Sequence, residues 1–242
     1  MGSMNLMKIG SFAVIPAAAL VAAAGLPLSV VNAQAPSRTI DEGTFLISHG
    51  GAPAGRESFR ISRSESSTGE AYRATAQVAF GDRRIVPTLI CDSTGSPLSY
   101  DVAVQGGAEP GQRLQARARP GRFTSMLRTR DGESTHEYFV PSGVVVLDDD
   151  VIHQLYFVTL KGRRSGAVTV LAPRTGTQAV ASLENQGAAS VDIGGSSTPA
   201  THFVLNAAGF ARREFWVDAA GRVLRAAIPE RGLIAQRDEL PR

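Results

Sequence analysis

From Phe45 onward the chain alternates apolar and polar residues in short runs separated by Gly, Pro, Asp and Ser. Phe45 and Ile47 open the pattern, Gly50 to Gly55 turns the chain, and Phe59 and Ile61 resume it. The clearest run is Glu70 to Phe80, with Tyr72, Ala74, Ala76, Val78 and Phe80 on one side and Arg73, Thr75 and Gln77 on the other. Leu98, Tyr100, Val102 and Val104 follow, then Leu114, Ala116 and Ala118. Further strands are predicted over 122–129, 136–140, 144–147, 168–171, 177–183, 202–205, 210–217 and 222–228. Period-two alternation is the mark of antiparallel strands with one wet face. Tight turns over most of the chain predict a meander, which must curl to bury its apolar side. The expected fold is mainly β: a strongly curved antiparallel meander, a half-barrel or open barrel, with one helix on its concave side.

That helix is predicted at 151–160. Asp148 or Asp149 can serve as N-cap, and the remaining acids suit the helix dipole. Ile152, Leu155, Tyr156 and Thr159 then share a face, and Lys161-Gly162 makes a stop. A fully buried strand fits the same run, because Val, Ile, Tyr and Phe favour strands. Gly187 to Pro199 reads as a long hairpin or loop.

The start of the chain departs from this pattern. Lys8 is the only charge in the first 35 residues, and an alanine-rich apolar run from Ile9 to Leu28 leads to Ala33-Gln34-Ala35. That is a signal peptide with a small-x-small cleavage site. Pro16, Gly25 and Pro27 break the run below the ~20 residues of a membrane span. The expected organisation is a leader over 1–35 and a single β-rich domain over 36–242. The mature protein is then periplasmic or secreted and not an integral membrane protein.

Charge narrows the partners. The sequence has 25 basic and 22 acidic residues; without Lys8 the balance is 24 against 22, a net of +2. That is too even to argue for nucleic acid. The single cysteine, Cys91, excludes an internal disulfide and reads as a buried thiol.

Motifs for chemistry are absent. There is no Gly-x-Ser-x-Gly elbow, P-loop, dinucleotide-binding glycine pattern or His-Glu-x-x-His. The four histidines share no metal-ligand spacing, and contiguous Asp148 to Asp150 lacks the alternate spacing of a calcium loop. No cofactor, metal or catalytic residue is assigned. The strongest electrostatic feature is the basic face of Arg113, Arg117 and Arg119, continued by Arg122, Arg128 and Arg130. It can meet phosphate head groups, or serve as a solvated face that discourages aggregation.

Three stretches together carry a family likeness: 43–47 with 55–61, Val146 to His153, and Phe215 to Arg225 with 237–241. The set resembles exported bacterial proteins classed only as domains of unknown function. In outline these are similar to the outer-membrane lipoprotein carriers, whose curled sheet cradles an acyl chain around a helix. The resemblance implies a carrier fold; the carriers' ligand-binding arginine has no matching position here.

The function expected is non-enzymatic binding or carriage of a lipid-like or other apolar molecule. Tyr72, Tyr100, Tyr156, Phe157 and Trp216 would line or plug the cavity. The alternative is a module that docks on another envelope protein. An enzyme with an unrecognised site ranks behind both.

Overall fold

The computed structural model describes residues 37–66, 69–108 and 110–242. The leader expected over 1–35 lies outside the described residues. What is described forms one 15-stranded sheet. Its first half is β1 (Ser37–His49), β2 (Ala52–Ser66), β3 (Gly69–Phe80), β4 (Arg83–Asp92), β5 (Pro97–Gln105), β6 (Arg113–Arg119), β7 (Arg122–Arg128) and β8 (Glu133–Phe139). Its second half is β9 (Val145–Val146), β10 (Gly166–Ala172), β11 (Thr177–Ile193), β12 (Ser196–Asn206), β13 (Arg213–Val217), β14 (Val223–Ile228) and β15 (Leu233–Arg237).

Spatial order runs from β8 back to β1, then from β15 back to β9. The two meanders therefore join where β1 pairs with β15, Phe45 opposite Arg237 and His49 opposite Leu233. Every neighbouring pair is antiparallel except β9 with β10. β8 and β9 are the two edges of the sheet, and Gln178 of β11 donates its side-chain amide to the Phe139 carbonyl of β8 at 2.7 Å.

The alternation read from the sequence sets the inward faces. Phe45, Ile61, Leu89, Tyr100, Leu114, Phe123 and Phe215 meet in one core, with exposures no higher than 1%. Two turns are tighter than expected. Gly50 and Gly51, both at positive φ (57° and 84°), make a two-residue hairpin, so Ala52 to Gly55 already belong to β2. Gly194 and Gly195 (59° and 81°) do the same for β11 and β12. Residues 187–199 are thus the long hairpin of the two expected forms, paired on both arms about the turn at 194–195. Both turns need the left-handed region at two successive positions, which glycine supplies without strain.

The segment 151–160 is a short helix, of another type than expected. It is not an α-helix capped by Asp148 or Asp149 but a 3-10 turn over His153–Val158, followed by a second over Leu160–Gly162. No side chain caps the first turn locally. Every residue from Val151 to Thr159 is buried, so the segment has no wet face for an amphipathic helix to show. It fills the concave side of the sheet, as the expected helix would have done.

Candidate functional site

The interior is built around charge as well as apolar packing. On β2, Glu57 shares the inward phase of Phe59 and Ile61 and is fully buried. Its Oε2 accepts the backbone N–H of Ile152 at 2.6 Å, and Oε1 accepts that of His153 at 2.8 Å. The His153 ring stacks on Phe59, and its Nδ1 lies 2.6 Å from Oε1. With Oε1 as acceptor, Nδ1 is the donor of this bond. The cap missing from the 3-10 turn is thus supplied across the barrel by β2.

The three aspartates before the turn diverge. Asp148, buried, accepts the Tyr100 hydroxyl at 2.7 Å and Nε of Arg174 at 2.6 Å. Asp149 takes Arg213 of β13 at 3.0 Å. Asp150, left-handed at φ 65°, takes Arg83 of β4 at 2.7 Å and also Arg231. Burial raises the Asp148 carboxyl above its ordinary range despite Arg174 and Tyr100. Burial and the neighbouring Asp148 push the Tyr100 hydroxyl well above 10.0, so it remains a donor. Near the seam of the two meanders, Arg237 donates to Asp41 at 2.5 Å and to the carbonyls of Val223 and Glu42, with its guanidinium over Phe45 and Phe59.

The expected cavity residues divide. Tyr72, Tyr100, Tyr156 and Phe157 are all buried in the core. Tyr72, Tyr156 and Phe157 pack ring against ring, with centroids 5.4–6.5 Å apart. The space an acyl chain would occupy between sheet and helix is taken by the protein's own residues 147–158. Trp216 is elsewhere. It lies on the face opposite Phe215 and Val217, stacked on His202 at 4.3 Å and packed against Val191, Ile193, Ala200 and Leu224. The tip of the long β11–β12 hairpin supplies three of those four residues. Arg113, Arg117 and Arg119 project outward from β6 and are exposed. Among the described residues no group of three or more His, Cys, Asp or Glu side chains could hold a metal ion.

An opening remains where the 3-10 segment meets the ends of β12 and β13. This pocket of about 200 Å³ has Tyr156, Leu160, Phe203 and Val217 as apolar walls. Thr159 also lines it, only 8% exposed, and its hydroxyl has no hydrogen-bond partner. Lys161, Arg163 and Arg164 surround it, and none pairs with a carboxylate among the described residues. Arg163 donates only to the carbonyls of Val158 and Gly143, and burial without a counter-ion lowers its pKa. The one carboxylate in the lining, Asp218, is engaged by Arg222 at 2.8 Å and by the N–H groups of Ala220 and Arg222. Tyr156, pushed up to about 12 by burial and by Tyr72, keeps its phenolic proton. The arrangement can hold an anionic head over a small apolar group.

The sequence placed Tyr156 in the expected cavity but read Thr159 only as part of a helix face and Lys161 only as a helix stop. Three basic residues within 161–164, next to a buried turn, were the available signal.

Fold and site together define a single curved, almost wholly antiparallel sheet with a filled, charged interior. No protein-family model matches the chain, and no curated protein matches it. Among solved structures it is similar to the beta-barrel-like protein of domain of unknown function DUF1849 from Brucella abortus. The identity is 11% over 84% of this chain and 95% of that one, with a TM-score of 0.45.

Proposed function

We propose that this protein is a non-enzymatic binding protein of the bacterial envelope, working in the periplasm, and that it carries a small amphipathic acid in the mouth pocket. The reading is carried by three cations without carboxylate partners beside a buried, unpartnered Thr159 hydroxyl and an apolar wall. A buried polar group left unpaired costs about 1–3 kcal/mol, which a ligand oxygen would recover. Size limits the cargo. At about 200 Å³ the pocket is smaller than the ~300 Å³ of drug-sized sites. It suits a single ring or short acyl end, with the carboxylate or phosphate at the rim.

The test begins with native mass spectrometry and solvent extraction of protein purified from its own envelope. Calorimetric titration with hexanoate and benzoate follows. A stoichiometric acid, or hexanoate binding abolished in K161E/R164E and weakened in T159V, supports the proposal. An empty protein that binds neither probe rejects it.

One observation favours a second reading, docking on an envelope protein. β8 is an edge strand wet on both faces except at Tyr138, with Phe139 68% exposed. An extended partner segment could add to it, and amide exchange at 133–139 would slow on cross-linking to that partner.

A further inference from the structure

The outer face of β4 to β7 carries a second site, independent of the mouth pocket. A shallow groove of about 640 Å³ runs across these strands. Val86 and Met126, 43% and 41% exposed, lie in it, flanked by Arg113, Arg117 and Arg128. The register sets Arg113 directly opposite Arg128, and Arg119 directly opposite Arg122. Like charges facing each other across a ladder are destabilising. Relief is incomplete: Arg117 pairs with Asp101 at 2.9 Å, Arg128 with Glu133 and Arg122 with Glu137. Arg113, Arg119 and the neighbouring Arg84 have no carboxylate partner among the described residues.

Protection of a sheet edge does not account for this arrangement. β6 lies inside the sheet, paired on both sides by β5 and β7, so it has no open edge to guard. What remains is a basic face with exposed apolar side chains set between arginines. Guanidinium forks match phosphate oxygens, and short apolar side chains between them can enter the acyl boundary.

We propose that this groove docks the protein on an anionic membrane surface, with the β6–β7 arginines on lipid phosphates and Met126 and Val86 against the acyl boundary. For a periplasmic binding protein such a face would keep it at the membrane that holds or receives its cargo. The groove stands without that function, because it shares no residue with the pocket.

The experiment is co-sedimentation of protein purified from its cell with two sets of vesicles. One set mixes phosphatidylglycerol with phosphatidylcholine; the other is phosphatidylcholine alone. Binding is expected to the mixed vesicles only and to weaken with salt. Each arginine removed should lower it roughly fivefold, so R113Q/R119Q falls by roughly twenty-five-fold. M126D should lose binding without altering the circular dichroism spectrum, as all three side chains are exposed. K161E/R164E should sediment like wild type, which separates failure of the pocket from failure of the groove. Equal binding to both vesicle types, or indifference of R113Q/R119Q, overturns the proposal. Capture by polyglutamate with no vesicle binding also overturns it, and points to an acidic protein partner instead. Binding of inorganic phosphate without sedimentation leaves a free-phosphate site and likewise rejects membrane docking.

Discussion

Replacing Glu57 tests whether a carboxylate in the sheet holds the central turn in place. E57A removes three bonds: two to the N–H groups of Ile152 and His153 and one to His153 Nδ1. All three lie in the buried interior. Each orphaned donor costs about 1–3 kcal/mol, and the vacated volume adds to that. A loss of about 3–5 kcal/mol is expected, the size seen when one partner of a buried pair is removed. E57Q separates bonding from volume. Its amide oxygen can keep both His153 contacts, but its NH2 then faces the Ile152 N–H donor to donor. One bond is lost rather than three, and the cost falls to about 1–3 kcal/mol. Urea unfolding followed by fluorescence of Trp216, the only tryptophan, reads both values. Amide exchange at Ile152 and His153 should accelerate more than at the β-ladders. An E57A cost under about 1 kcal/mol, or equal costs for the two variants, would refute the reasoning.

Three further outcomes follow from the same interior. R237K should destabilise by about 3–5 kcal/mol in thermal or urea unfolding, because an ammonium cannot reach Asp41 and two carbonyls while covering two rings; a neutral result would separate the seam from that arginine. Asp148 sits above its ordinary 3.8 when folded, so the folded state holds the extra proton in the window above 3.8. Its contribution is full below that value and lost as pH rises through the folded one, so wild type should lose stability relative to D148N over this rise; a gap that widens in favour of wild type contradicts the sign. Cys91 is fully buried, and burial lifts its thiol well above 9.0. Ellman's reagent should not react with the native protein and should titrate one thiol in urea.

How legible these features were depends on what alternation encodes. Tyr72 to Phe80 and Tyr100 to Val104 declared themselves because an apolar residue every second position has no other economical use, whereas Leu98, read in the same phase, is 43% exposed beside a register shift. The curl of the sheet followed, since one apolar face that long must close on itself. The buried charges were illegible as a group, although their phase was in view. Glu57 precedes Phe59 and Ile61 at the same spacing, Arg213 precedes Phe215 and Val217, and Arg237 follows Leu233 and Ala235. A charge that continues an inward phase is either the end of the strand or a buried ion with a partner elsewhere. Sequence offers the first reading cheaply; the second needs a long-range pairing such as Asp41 with Arg237, 196 positions apart. The error over Asp148 to Asp150 has the same root. Local capping accounts for three acids with no other residue, whereas their arginine partners lie 26 to 81 positions away.

Those distant arginines also explain why 151–160 need not be an α-helix. Arg174 sits in the β10–β11 turn, Arg213 on β13, Arg83 on β4 and Arg231 after β14. Three consecutive aspartates that must reach four cations from different strands cannot all be helical, and Asp150 takes a left-handed conformation instead. A buried ion network of this kind is weak evidence for stability, since apolar replacements can match it. What it does fix is position. Asp148, Asp149 and Asp150 hold the entry to the turn against both meanders, and Glu57 holds its first two amides. The chain therefore emerges at Thr159 to Arg164 in a set place. A mouth with an unpaired hydroxyl and three uncompensated cations is then placed by the charges behind it, which links the costly interior to the proposed binding site.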